Sequence, residues 1–341
     1  MSSRIVLLGA GTALLVLLLW RLGPAEILDT LARIGWYFVP ILLFGAAHHA
    51  TRALALNVCI LQSGRLRYRD ALAIRLSGEA VQTLTLTGPV LAEPTKAWLL
   101  ERRGMTFKEG FAATLTEYLV YSFVSAAMAI VGLAVLLQRF TPGATISSIA
   151  KVIIVVCVVF LLAAVIAIAR RFYLIGTIVS ALGRAGVLRG RLRPETSAVN
   201  SVEDLLLQVL HDAPARLALV IALEIIAQAL LVSELFWLLR AIHVVVPGSW
   251  VFLIEAWAKF FDFVFLLVPL QVGVLEGTYA AIFGVMGLAL SGGFVLAFLR
   301  RARSLIIAAV GLAMLALLTR RQSRGAAFAR TRHFSSRETS P

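Results

Sequence analysis

The hydrophobic positions of this chain fall in long blocks, with the polar positions gathered between them. The blocks are residues 5–20, 36–61, 111–137, 152–169, 217–239, 250–269, 277–290 and 294–318. Most reach the roughly 20 residues that an α-helix needs to cross the hydrocarbon core of a bilayer. The first and seventh are shorter. The first follows Arg4 as a secretory signal would, but no small-x-small cleavage site comes after it and the chain continues Arg21-Leu22-Gly23-Pro24. It reads as an uncleaved span. Residues 71–100 are apolar on average yet contain Glu79, Pro89, Glu93, Pro94 and Lys96. A straight lipid-facing helix cannot carry these, whereas a re-entrant pair of half-helices buried by neighbours can. The pattern predicts an all-α, polytopic integral membrane protein with about eight membrane segments and a re-entrant pair.

Composition sharpens this picture. Of 341 residues, 60% are hydrophobic and 15% charged, with a mean hydropathy of +0.92, against roughly 25% charge in soluble domains. No polar stretch is long enough for a separate soluble domain. The expected division is a membrane-embedded lipid-transport domain over residues 1–319 and a basic tail over 320–341. The tail is rich in Arg and Ser and poor in apolar residues, and is expected to be disordered.

The net charge of +14 does not point to nucleic acid. The basic residues flank the blocks and lack an interleaved aromatic platform, which suits anionic lipid at the membrane surface. Arg65, Arg67, Arg69 and Arg75 precede the broken stretch, and Arg102, Arg103 and Lys108 follow it. Arg170, Arg171, Arg184, Arg189, Arg191 and Arg193 gather in the middle loop, and further arginines fill the tail. Threading by the positive-inside rule puts both termini in the cytoplasm, provided residues 71–100 enter and leave on that face. Residues 170–212 are expected to lie along the cytoplasmic surface.

Eight ionisable residues fall at or beside membrane depth: Glu93, Lys96, Glu117, Glu255, Lys259, Asp262, Glu276 and Arg300. Facing lipid, they would together cost about 20–28 kcal/mol at 2.5–3.5 kcal/mol each. They must face an interior or a water-filled cavity. Glu255, Lys259 and Asp262 share one helix face, either as a self-neutralising stripe or as a polar wall.

Two stretches also resemble each other. Shifted by 183 positions, Glu93 falls on Glu276, Thr95 on Thr278, Ala97 on Ala280, Gly104 on Gly287, Gly110 on Gly293 and Phe111 on Phe294. Six of nineteen positions match from Glu93 to Phe111. Broken segments in corresponding places of two halves suggest an inverted repeat enclosing a midplane site. Pro94 and Gly277 follow the glutamates, so each glutamate reads as the cap of a half-helix. That role could be structural or could mark a headgroup site. Lys96 would add a cation. The same shift places Glu117 on Arg300, so the two are expected to form a buried ion pair or to line one cavity together.

No nucleophile elbow, zinc-protease helix or P-loop is present. Cys59 and Cys157 sit in apolar blocks, and the histidines lack metal-ligand spacing. No catalytic residue, metal or cofactor is expected, and the chain reads as a non-enzyme.

The stretch from Pro269 to Gly277, with Gly287-Leu288, resembles the P-x-x-G-G-x-G-x-x-E-G block of the lysylphosphatidylglycerol synthetase transmembrane, flippase-like family. Glu93-Pro94-Thr95-Lys96 and Glu117 resemble its earlier glutamate-bearing block. The resemblance covers residues 5–320, and the family includes a hopanoid-biosynthesis-associated branch. Ala92 stands where glycine is common, Lys96 where arginine is common, and Gln271-Val272-Gly273 replaces a glycine-rich run. The resemblance implies an inner-membrane protein that translocates an amphipathic lipid without the family's aminoacyl-transferase domain. Glu93, Lys96, Glu276 and Gln271 would engage the headgroup. Glu117, Arg300, Asp262, Lys259 and Glu255 would shape the cavity. The alternatives are an ion-coupled transporter of a small solute and a non-catalytic partner of a lipid-modifying enzyme.

Overall fold

A computed structural model describes residues 34–61, 66–85, 88–139, 144–171, 177, 196–264 and 274–335. Among these are ten α-helices: α1 Phe38–Cys59, α2 Tyr68–Leu84, α3 Pro89–Glu101, α4 Phe107–Arg139, α5 Ala144–Ala169, α6 Thr196–Leu210, α7 Pro214–Ala241, α8 Gly248–Val264, α9 Val274–Val285 and α10 Leu290–Ser335. Among the described residues, five segments are long and apolar enough to cross a membrane: Gly35–Cys59, Phe107–Arg139, Ala150–Ala169, Pro214–Ala241 and Leu290–Thr319. The span expected at residues 5–20 lies outside the described residues.

The expected break in residues 71–100 is present. α2 and α3 are short helices packed on each other, and α3 starts at Pro89 with Gly88 at its cap. The seventh block is short, as expected. α8 has 17 residues and α9 has 12. At 1.5 Å per residue α9 is about 18 Å long, well short of the roughly 30 Å hydrocarbon core. α8 and α9 thus stand in the places of α2 and α3 as a second pair, of which α9 is too short to span.

The halves repeat. Adding 183 to Phe107, the first residue of α4, gives Leu290, the first residue of α10. The same shift lays α1, α2 and α3 over α7, α8 and α9. The packing repeats as well: α3 lies on α4 as α9 lies on α10, and α2 lies on α10 as α8 lies on α4. Gly104 and Gly287 both turn the chain into the long helix with positive φ, at 94° and 71°, a conformation that glycine adopts without a Cβ clash. Gly110 and Gly293 let that helix approach the short one. A Cβ on Gly110 would fall 3.1 Å from the Ala97 carbonyl oxygen, and one on Gly293 would fall 2.8 Å from the nitrogen of the equivalent Ala280. The matched residues are thus those the repeated geometry requires.

α1 and α7 cross as an antiparallel pair. Gly45 lies beside Glu234, His48 donates from Nδ1 to the Ala227 carbonyl at 3.0 Å, and Arg52 meets Glu224. Rising numbers on α1 meet falling numbers on α7. The halves are therefore related by a pseudo-two-fold axis perpendicular to these helices, which is an inverted repeat.

α5 and α6 lie between the repeats. α5 is the most apolar span and turns Val152, Val155, Val156, Val159 and Val165 outward, as a lipid-facing helix does. α6 buries Leu206, Leu207 and Leu210 and packs on α4 and α7. α10 stays helical through Ser335, where a disordered tail was expected from residue 320. Residues 320–335 contain no proline and are rich in Arg and Ala, which are strong helix formers.

Candidate functional site

Buried charge is concentrated where the two halves meet. Arg52, deep in α1, reaches two helices at once. Its Nη2 is 2.6 Å from Glu117 Oε1 of α4, and its Nε is 3.4 Å from Glu224 Oε2 of α7. Tyr121, one turn after Glu117, places its ring centroid 3.7 Å from the guanidinium carbon, a cation–π contact. From α3, Lys96 Nζ lies 2.8 Å from Glu93 and 3.4 Å from Glu117. From α2, Arg75 lies 3.2 Å from Glu79 and 3.9 Å from Glu117. Glu117 is the hub of this first cluster, touched by three cations. Glu117, Glu224 and Lys96 have no exposed surface. Lys96 gains its path along α2 at Gly78, where a Cβ would lie 2.5 Å from the lysine Cγ.

A second cluster occupies the other half. Glu255 of α8 pairs with Arg300 of α10 and, at 3.7 Å, with Lys259. Arg303 pairs with Glu234 of α7. Arg301 holds Glu276 of α9 through contacts of 2.7 and 3.3 Å. Tyr121 joins the clusters: its ring lies against Arg52 while its hydroxyl accepts a hydrogen bond from Lys259 at 3.1 Å. The chain of contacts runs from α3 through α4 to α8 and α10.

This arrangement revises several expectations. Glu117 and Arg300 do not pair. α4 packs on α8 while α10 packs on α2, so the equivalent positions face different helices and each takes a local partner. Glu93 is not a cap. Gly88 and Pro89 start α3 earlier, which leaves Glu93 and Pro94 inside the helix. Glu276 sits in the first turn of α9, beyond the cap position, where a carboxylate suits the helix dipole. Lys96 is not a free cation for a phosphate, because Glu93 and Glu117 neutralise it. Lys259 and Glu255 do pair as their i,i+4 spacing suggested. Gln271 and the Asp262 side chain lie outside the described residues.

Sequence reasoning named Arg75 and Glu79 only as charges at the broken stretch, and passed over Arg52, Glu224, Glu234, Arg301 and Arg303. Arg52, Glu224 and Glu234 stand within apolar blocks, and an ionisable residue inside a span is itself a functional signal.

Helices of membrane-spanning length, two broken helix pairs and a closed charge network between inverted halves define a polytopic helical membrane protein with an intramembrane polar site. The model of the lysylphosphatidylglycerol synthase TM region matches residues 4–311, and the chain belongs to that family. Comparison with curated proteins and with solved structures gave no match.

Proposed function

We propose that this protein moves an amphipathic lipid between the leaflets of a bacterial inner membrane, with no covalent chemistry on it. The carrying observation is the charge network shared by α1, α2, α3, α4 and α7 and continued to α8 and α10 through Tyr121. Ion pairs buried among spans have a large desolvation cost and add little net stability. A purely structural core would be served better by apolar side chains. A network whose cations and carboxylates can exchange partners for those of a headgroup gives that cost a use. Family membership supports a lipid as the cargo.

In this reading the described state is closed. A headgroup enters by taking the place of Lys96 or Arg52 on Glu117, and the inverted halves open alternately. Basic loop and tail residues bind anionic lipid at the cytoplasmic face, where both termini lie.

The test is movement of a headgroup-labelled phospholipid between leaflets of proteoliposomes, followed by an impermeant quencher. Wild-type protein should move the label. Glu93→Gln and Glu276→Gln should insert normally and abolish movement. Full activity in both variants would sink the site assignment. Solute uptake driven by a pH gradient without lipid movement would favour a small-solute transporter.

A further inference from the structure

The first cluster contains four carboxylates, Glu79, Glu93, Glu117 and Glu224, against three cations, Arg52, Arg75 and Lys96. Three of the acids are well served. Glu117 meets all three cations, Glu93 has Lys96 at 2.8 Å, and Glu79 has Arg75 at 3.2 Å with part of its side chain open. Glu224 differs. Its one cation contact is the Arg52 Nε at 3.4 Å, which it shares with Glu117 as partner of the same guanidinium. Among the described residues neither Glu224 oxygen receives a hydrogen bond, although the residue is fully buried; the Glu93 oxygens share that lack, but Glu93 has the Lys96 ammonium at 2.8 Å.

Among the described residues, the other elements around Glu224 supply no further donor. From α1, His48 spends its Nδ1 hydrogen on the Ala227 carbonyl. His49 and Cys59 lie on the same helix. From α2 comes Arg75, turned to Glu79 and Glu117. From α4 come Glu117 and Tyr121, whose hydroxyl is engaged by Lys259 of α8. α6 brings the buried Glu203. Glu224 and Glu117 meet on the same Arg52 guanidinium, Glu224 at Nε and Glu117 at Nη2. Two carboxylates on one guanidinium bring only acceptors to each other. A single proton converts that contact into a charge-assisted O–H···O bond and balances the cluster at three negative charges against three positive.

We propose that Glu224 and Glu117 share a bound proton, and that this carboxyl pair couples lipid movement to protonation. The inference rests on the lipid-translocation reading for its coupling half and not for its proton-binding half. The proton comes from water and returns to it, with no other bond made or broken. A headgroup that takes a partner from Glu117 alters the charge around the pair, and Glu224 offsets the change by taking or losing the proton.

Two measurements test it. Infrared spectra of the purified protein at neutral pH should show the carbonyl stretch of a protonated carboxyl group. The band should vanish in Glu224→Gln, shift in Glu224→Asp and persist in Glu79→Gln. Absence of the band, or its survival in Glu224→Gln, overturns the shared proton. In proteoliposomes, movement of headgroup-labelled phospholipid by the wild type should change several-fold between acid and alkaline buffer, and Glu224→Gln should lose that dependence. A band with pH-independent lipid movement overturns the coupling. A band with no lipid movement at all overturns the lipid reading and leaves the protonated pair standing.

Discussion

Glu117 concentrates the energetics at the scale of single residues. It has no exposed surface and meets Arg52, Lys96 and Arg75. Removing one partner of a buried pair leaves an uncompensated charge, at a cost of about 3–5 kcal/mol. Arg52→Met should therefore lower the melting temperature in detergent strongly, since it strips a cation from both Glu117 and Glu224. Adding Glu224→Gln should recover part of the loss. The surface pair of Arg103 and Asp70, at 2.8 Å and partly exposed, gives the contrast: Asp70→Asn should cost about 0–1 kcal/mol. Gly78 is the other decisive residue. In Gly78→Ala the new methyl group meets the buried stem of Lys96. The variant should lose about 1–3 kcal/mol by overpacking and should share the lipid-movement defect of Lys96→Met.

Element by element, small residues set how closely the halves approach. A Cβ on Gly132 of α4 would fall 2.3 Å from the Ala256 Cβ of α8, and one on Gly311 of α10 would fall 2.1 Å from the Leu76 carbonyl oxygen of α2. These are the two symmetry-related crossings, and both depend on a bare helix surface. Gly132→Val and Gly311→Val should each destabilise by about 1–3 kcal/mol. Gly248→Ala, where a Cβ would meet nothing, should change stability by less than about 0.5 kcal/mol. Thermal melts of the three variants check the ordering. The first broken pair was legible because Pro89, Glu93, Pro94 and Lys96 interrupt apolar sequence. The second was legible at Glu276 and Gly277, which interrupt apolar sequence at the matching place. The packing of α8 and α9 extends the correspondence to whole helices.

At the scale of the whole molecule, inversion has a topological consequence. Lys108 and Ser291 are equivalent under the 183-residue shift, and both are exposed at the start of a long helix. An inverted repeat places them on opposite sides of the membrane. With Cys59 and Cys157 replaced by serine, Lys108→Cys and Ser291→Cys should react with an impermeant maleimide from opposite faces of oriented vesicles. With the basic Arg102 and Arg103 beside it, Lys108 is expected to react from the cytoplasmic side. Reaction from the same face would exclude the inversion. With the inversion, the second broken pair enters from the face opposite the first, so that the two charge clusters are approached from opposite leaflets.

Hydropathy alone determined the class of molecule, the positions of the five spans among the described residues and the place of the first break, because the bilayer imposes a length and an apolarity that one-dimensional sequence records. The shift of 183 residues also pointed correctly to equivalent glycines, since close approach and positive φ are local demands met by one residue type. Which charges neutralise one another was decided only by tertiary structure. Equivalence along the chain suggested Glu117 with Arg300. The crossing of α1 and α7 instead brings Arg52 to Glu224, α4 adds Glu117 to the same guanidinium, and α8 and α10 pair Glu255 with Arg300. Coulomb attraction falls off with distance in space, and the spacing of charges along a chain does not fix their distance across a helix bundle.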